Sequence, residues 1–403
     1  MVSNNLEGFF EKYLEKKSLF KNKSALQSQY TPEHIPHREH QVQSIAKILA
    51  PALRTEKPSN LFLYGKTGTG KTLTVKYVTS QMEHMAEQRK LPLKIIYLNC
   101  KLKKIADTEY RLIAQIARDF GKTIPPTGLP TDEVYNIFCQ ALESTPQQII
   151  IILDEIDQLV KRAGDEILYN ITRLNADLKQ SQISLVGISN DLLFTEQLDP
   201  RVKSSLSEEE LIFPPYNALQ IQNILRDRAK EAFCEGVIHE GVIEKCAALA
   251  AREHGDARRA LELLRVAGEI AERHDKKALE LSDLDQADEK IEVDRVLDVV
   301  KTQPKQFQAV LYIVLSLAKQ QKSPIFTGEV YDIYRNLCSQ IGLIPLTQRR
   351  VSDIIAEYDM LGIINAKVIS KGRYGRTREI CLATPPHLQD TMYSLLAEGL
   401  NVA

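Results

Sequence analysis

Apolar residues along this chain follow two rhythms, and the changes from one to the other divide it into parts. Leu61 to Tyr64, Ile95 to Leu98, Ile149 to Leu153 and Ile183 to Ile188 are short apolar runs of the length and composition of strands. Four successive isoleucines, Ile149 to Ile152, suit a strand buried on both faces, as in a parallel sheet. Between these runs the apolar positions recur at helical spacing: Val42, Ile45, Ala46, Ile48 and Leu49, then Leu73, Val75, Val78 and Met82. Alternating strands and helices argue an α/β layer. The segment at about 105–144 adds two helices, with Tyr110, Ile113, Ile116 and Phe120 on one and Val134, Ile137, Phe138 and Leu142 on the other. The proline-rich stretch Ile124 to Pro130 joins them. Phe213-Pro214-Pro215-Tyr216 breaks the pattern.

From 217 to about 290 the pattern is helical throughout. Gly255 stops one helix and Asp256 caps the next. From about 292 it changes again. Helices over Phe307 to Leu317 and Phe326 to Leu337 precede a third bearing Val351, Ile354, Ile355, Tyr358 and Leu361, with Thr347 as its expected N-cap. Two strands follow, Ile363 to Ile369 and Thr377 to Leu382, around the tip Ser370 to Arg376. Three helices and a basic hairpin make a winged helix. The expected parts are therefore an N-terminal extension at 1–30, an α/β core at 31–215 with a helical insertion near 105–144, an all-helical lid at 216–291 and a winged helix at 292–403. The extension is expected to be a short amphipathic helix with Phe9, Phe10, Tyr13 and Leu14, then a linker. Its lysines, Lys12, Lys16, Lys17, Lys21 and Lys23, read as a solvated face.

The chemistry concentrates where the α/β rhythm is interrupted. Gly65-Lys66-Thr67-Gly68-Thr69-Gly70-Lys71-Thr72 fits G-x-x-x-x-G-K-[ST] and lies between a strand and a helix, the setting a phosphate-binding loop requires. Glycines there let successive backbone N–H groups turn inward, and the helix N-terminus adds partial positive charge. Lys71 would reach the β- and γ-phosphates, and the Thr72 hydroxyl would ligate Mg²⁺. The isoleucine strand ends in Asp154-Glu155, at the edge where parallel sheets place ligands. Asp154 is placed to hold Mg²⁺, and Glu155 to orient or deprotonate an attacking water. The next strand delivers Asn190, which either touches the water or γ-phosphate or simply forms a turn. Arg201 is exposed at an expected turn. Arg258 and Arg259 fall in the first turn of a helix, where cations sit badly unless an anion neutralises them.

Composition changes little. The chain has 403 residues, 26% of them charged and 43% hydrophobic, with a formal net charge of −1. Any nucleic-acid surface must then be local. The wing supplies one: Lys367, Lys371, Arg373, Arg376 and Arg378 stand against the single acid Glu379, with Tyr374 at the tip. Its alternative is a charge-protected sheet edge. Gln348, Arg349 and Arg350 open the preceding helix, where recognition helices meet base edges. The exposed proline-rich loop with Pro126, Thr127 and Gly128 is either a grafted functional site or a rigid surface connection. Six scattered cysteines without a C-x-x-C pair argue against zinc and disulfides and fit a reducing cytosol. No signal-peptide pattern or membrane-spanning run is read, and no membrane partner is expected.

In this order, these residues resemble the AAA+ ATPases, and more narrowly the archaeal origin-recognition-complex-type replication initiators. The resemblance covers Pro36-His37-Arg38-Glu39, the GKTGTGKT loop, Leu153 to Asp157, Ile188-Ser189-Asn190 as sensor one, Gly255 to Leu261 as sensor two, the helical insertion and the wing. It implies an ATP/ADP-binding, Mg²⁺-dependent ATPase with slow, regulatory turnover. Arg38 and Tyr216 are expected beside the nucleotide with Gly65 to Thr72, and Arg258 beside its γ-phosphate. Arg201 is expected as an arginine finger completing a neighbouring copy's site. Double-stranded origin DNA, the replicative helicase and other initiator copies on DNA are the implied partners, and the cytoplasm, at the nucleoid, the implied location. The resemblance also implies that the loop with Pro126, Thr127 and Gly128 is a second contact to the DNA. Two alternatives stand beside this reading. One is a clamp-loader-like or other AAA+ remodelling enzyme whose C-terminal domain makes protein contacts; the other is a transcription regulator, which the full catalytic set disfavours.

Overall fold

In the computed structural model the described residues are all except 1–7, 9, 12, 13, 15, 28, 29, 102–107, 126, 127, 207, 321–323, 371–375 and 403. Contacts divide the chain into two compact units, residues 1–284 and 285–403.

The first unit is built on a five-stranded parallel sheet, β1 (Asn60–Tyr64), β2 (Leu93–Asn99), β3 (Gln148–Asp154), β4 (Gln182–Ser189) and β5 (Glu208–Ile212), in the order β2-β3-β4-β1-β5. The isoleucines of β3 alternate between two cores. Ile149 and Ile151 pack under the insertion helices with Leu112, Ile113 and Phe138. Ile150 and Ile152 face the other side, with Ile45, Leu49, Val75 and Val78. Fully burying such a side chain stabilises by about 1.5–3 kcal/mol, and β3 contributes on both faces. Helices α1 (Glu39–Leu49) and α2 (Lys71–Arg89) cover one face. On the other face lie α3 (Glu109–Asp119) and α4 (Thr131–Leu142) of the insertion, then α5 (Ile156–Ala163), α6 (Glu166–Arg173) and α7 (Pro200–Leu206). β5 was not legible as a strand, since Glu208-Glu209-Glu210 lacks apolar alternation; it is an edge strand, where charge is tolerated. Arg201, expected at a turn, stands in the first turn of α7 instead.

Helices α8 (Ala218–Ala232), α9 (Val242–Arg252) and α10 (Ala257–Arg273) form the lid. The expected boundary at 291–292 falls inside one continuous helix, α11 (Leu281–Thr302). The N-terminal segment is packed on the lid rather than being the expected linker, while its described lysines are exposed as expected, two of them in surface ion pairs. Phe20 stacks on Phe233 with centroids 4.6 Å apart, and the Lys21 amide donates to Ala232 O at 2.7 Å. Glu272 accepts from the Leu19 amide at 2.9 Å, Lys23 pairs with Glu269 at 2.8 Å, and Lys16 pairs with Asp275. The segment is a strap along the lid. Of its expected helix, Phe9, Lys12 and Tyr13 lie outside the described residues, while Phe10 and Leu14 are exposed.

In the second unit, α12 (Lys305–Lys319), α13 (Thr327–Ile341) and α14 (Gln348–Met360) pack around Leu315, Tyr334, Ile354 and Tyr358. Thr347 caps α14 as expected, accepting from the Arg350 amide at 3.4 Å. An antiparallel sheet of β6 (Ile325–Phe326), β8 (Arg376–Leu382) and β7 (Ile364–Ser370), in that order, forms the wing. Helix α15 (Pro386–Leu400) follows. The two-residue β6 was hidden in what reads as the start of a helix. Among the described residues, no helix is long and apolar enough to cross a membrane.

Candidate functional site

The parallel register brings the ends of four strands to one edge. Asn99 lies opposite Asp154, Asp154 opposite Ile188, and Tyr64, the last residue before the glycine loop, opposite Ser189. Three residues with φ in the left-handed region shape this edge. Gly68 has φ +70°, and a Cβ there would meet Asp256 Oδ1 at 1.7 Å and its Cα at 2.9 Å. Gly70 has φ +92°, and a Cβ there would lie 2.8 Å from the Tyr216 hydroxyl. Only glycine fits either place. Glu155, at φ 56°, pays for the same conformation with a side chain.

Lys71 is buried at the loop's centre. Its ammonium donates to Gly65 O at 2.6 Å, Lys66 O at 2.7 Å and Asn190 Oδ1 at 3.0 Å. Burial, helped by the Arg258 cation, pulls it down to about 8, against the pull of Asp154 and other acids. Thr72 donates to Asp154 Oδ2 at 2.9 Å, and the Tyr97 hydroxyl donates to the same oxygen at 2.6 Å. Burial and that carboxylate push the Tyr97 phenol well up, so it stays a donor. The Glu155 carboxylate is half-buried, 4.0 Å from the Lys101 ammonium.

Arg258 closes the cluster from the lid. Asp256 caps α10 by accepting from the Arg258 amide at 2.8 Å, and the Ala257 amide donates to Gly68 O at 3.3 Å. The arginine's backbone is thus tied to the phosphate-type loop. A small polar cavity is lined by Gly68 to Thr72, Asp154, Glu155, Asn190 and Arg258. Beside it opens a larger cavity of about 460 Å³, with Tyr30 and Ile35 of the strap, Tyr216, Ile224 and Leu261 among its walls. Lys66 and Thr67 are exposed on the loop's outer turn. Arg259, the neighbour of Arg258, pairs with Glu253 at 3.3 Å.

Arg38 joins the site through protein partners. Only 2% exposed, it donates from Nε to Thr69 O at 3.0 Å and from Nη2 to Pro214 O at 2.5 Å. Its guanidinium lies 3.9 Å from the Tyr216 ring centroid. It staples the glycine loop to the core–lid junction, and its position before α1 gave no sign of those carbonyl partners. Tyr97 was read only as part of a strand; a phenol inside an otherwise aliphatic run was the available signal. Arg201 lies apart from the cluster, strongly exposed and hydrogen-bonded to Asp199 at 3.2 Å.

The donor set suits phosphates and a hard divalent cation. Lys71, Arg258 and a backbone cradle offer positive charge, and a hydroxyl and a carboxylate converge as oxygen ligands.

On the second unit, Arg349 and Arg350 are exposed at the start of α14. Arg349 has no protein partner among the described residues, and Arg350 stands 3.9 Å from Asp353. In the wing, Lys367 lies opposite Glu379, and Arg378 donates to Ser352 at 3.4 Å. Arg376 begins β8, but Lys371, Arg373 and Tyr374 lie outside the described residues. So do Pro126 and Thr127 of the insertion loop, while Gly128 is exposed.

Comparison with known proteins agrees with this architecture. Residues 54–193 match the AAA domain, 222–289 the Cdc6 AAA+ ATPase-type lid domain, and 298–390 the CDC6 C-terminal winged helix domain. The chain is 52% identical to an ORC1-type DNA replication protein of Thermococcus onnurineus, over 98% of this chain and 95% of that one. It is 55% identical to one of Pyrococcus furiosus, over 94% and 90%. Among solved structures, that of the Aeropyrum pernix ORC1 protein in complex with DNA matches with a TM-score of 0.82 and 47% identity, over 95% of this chain and 98% of that one. Near-complete coverage at this identity means that the chain belongs to the family of ORC1-type DNA replication proteins, AAA+ ATPases with a Cdc6-type lid and winged helix.

Proposed function

We propose that this replication protein is an initiator controlled by ATP: it binds ATP and ADP with Mg²⁺, hydrolyses ATP slowly, grips duplex origin DNA and helps recruit or load the replicative helicase. The observation that carries the nucleotide half is the meeting of Lys71, Thr72, Asp154, Glu155, Asn190 and Arg258 around one small cavity. The DNA half is supported by Arg349, exposed at the start of α14 and without a partner among the described residues, and by the DNA complex of the Aeropyrum pernix relative.

The chain's own groups divide the work. Lys71, whose ammonium donates to Gly65 O and Lys66 O, would turn to phosphate oxygens in a charge-assisted exchange. Thr72 and Asp154 would hold Mg²⁺, which when bound neutralises charge on the β- and γ-phosphates. Glu155 orients a water or takes its proton, with Asn190 beside it. Arg258 senses the γ-phosphate from the lid, and because its helix is bonded to Gly68, nucleotide state biases the lid. The larger cavity takes the base, with Tyr216 as one wall and Arg38 holding that wall in place. Arg201, exposed and away from its own site, would exchange Asp199 for the phosphate of a neighbouring copy. Arg349 and Arg350 read bases, and Arg376 with Lys371, Arg373 and Tyr374 at the wing tip contacts the backbone. The loop of Pro126, Thr127 and Gly128 makes a second, separate contact.

The test is binding of the full chain to specific and random duplexes over a salt series, with ATP, ADP and no nucleotide. Salt-sensitive affinity with a preference for one sequence supports the proposal. No measurable duplex binding in any nucleotide state would overturn it in favour of a remodelling ATPase whose C-terminal domain makes protein contacts.

A further inference from the structure

Tyr97 sits on β2, an edge strand of the sheet, opposite Ile152 and two residues before Asn99. Its hydroxyl donates to Asp154 Oδ2 at 2.6 Å, on the same oxygen that Thr72 Oγ1 reaches at 2.9 Å. The other carboxylate oxygen, Oδ1, accepts the Glu155 amide at 3.0 Å. The terminal torsion of an aspartate is broad and soft. Here one oxygen is pinned by the backbone of the next residue and the other by two hydroxyls, so the carboxylate plane is set.

The phenol is itself held. Lys76, one turn beyond Thr72 on α2, places its ammonium 4.2 Å from the Tyr97 ring centroid. A cation over a phenol face attracts the ring and withdraws electron density from it, which strengthens donation by the hydroxyl. One helix therefore carries both the hydroxyl that meets Asp154 and the cation that fixes the partner of Asp154. A half-buried phenol needing only a hydrogen-bond partner would require neither the shared oxygen nor the covering lysine.

We infer that Tyr97 is a positioning residue for the divalent cation, orienting the Asp154 carboxylate for the metal rather than contacting nucleotide or reacting atoms. The inference rests on the reading of Thr72 and Asp154 as the Mg²⁺ ligands. Outer partners of ligating groups govern metal affinity, and losing one typically costs about 10–100-fold.

The experiment uses the full chain, wild type and Tyr97→Phe, with a ribose-labelled fluorescent ATP analogue. Affinity is measured in EDTA and then over a Mg²⁺ titration, and Mn²⁺ uptake by the nucleotide complex is counted directly by electron paramagnetic resonance. Phenylalanine keeps the ring that Lys76 covers, and metal-free binding doubles as the check that the variant is folded. The expected result is metal-free affinity within about twofold of wild type, while the Mg²⁺ concentration at half-effect rises at least about tenfold and Mn²⁺ uptake weakens in step. Superimposable metal titrations overturn the inference. An equal loss of affinity with and without metal also overturns it, since Tyr97 would then shape the site in general. A wild type with no metal-dependent gain would instead overturn the metal reading of Thr72 and Asp154; a wild-type gain that Tyr97→Phe leaves intact overturns the inference alone.

Discussion

The phosphate-type cluster of the first unit and the cationic face of the second hold their charges in opposite ways. In the first, Lys71, Arg38 and Asp154 are buried and tied to protein partners. In the second, Arg349 and Arg350 are exposed, one without a partner among the described residues and the other 3.9 Å from a carboxylate that is itself exposed. A buried cation must be satisfied by the fold itself, so its removal damages loop and ligand site together. An exposed cation costs the fold little and is free to be spent on a partner. The first arrangement suits a ligand seated in one geometry, and the second suits a long polyanion met over many contacts.

The sharpest way to break this contrast is at the nucleotide. Lys71→Ala should reduce ATP affinity by two orders of magnitude or more, on the order of 3 kcal/mol, because a buried phosphate would lose its counter-charge. Glu155→Gln should keep that affinity and slow hydrolysis by about 100-fold or more. Equilibrium binding and single-turnover rates separate the two, and equal turnover by wild type and Glu155→Gln would remove Glu155 from its role. Next in size is Arg38→Ala. It strands the carbonyls of Thr69 and Pro214 and should cost about 2–4 kcal/mol of stability in denaturant titration. A variant as stable as wild type would show that the staple is idle.

The second unit should respond in the other currency. Arg349→Ala or Arg350→Ala should leave stability within about 0.5 kcal/mol. Either should weaken binding to a preferred duplex by about 1–3 kcal/mol, with little effect on random duplex. If melting falls while specificity stays, the contrast between the units is wrong. The smallest effect belongs to the wing, where Arg373→Ala or Arg376→Ala should weaken all sequences alike. Each should reduce the slope of log K against log salt by about 1, read from fluorescence anisotropy.

How much of this was legible follows the same division. The glycine loop, the isoleucine strand and the Asp256 cap carry their structure in local spacing, and each lies where that spacing puts it. The strap along the lid was not legible. Phe20 meets Phe233 across more than two hundred residues, and nothing local marks the acidic partners that the exposed Lys16 and Lys23 find on the lid. The partners of Arg38, and the role of Tyr97, were hidden for a related reason. The partners of Arg38 are backbone carbonyls that any sequence would offer, and the partner of Tyr97 depends on the register of two strands. Strand β5 escaped because an edge strand tolerates the three glutamates that conceal it.

Glu155 carries a consequence of another kind. Its φ of 56° is a conformation that disfavours any residue with a Cβ by about 1–2 kcal/mol. Glycine would adopt it freely, so Glu155→Gly should make the chain sturdier while deleting the carboxylate proposed to handle the water. Selection for heat tolerance alone would therefore discard this glutamate. On the proposed role, turnover is what keeps the glutamate there, and the strain at this residue sets endurance against activity.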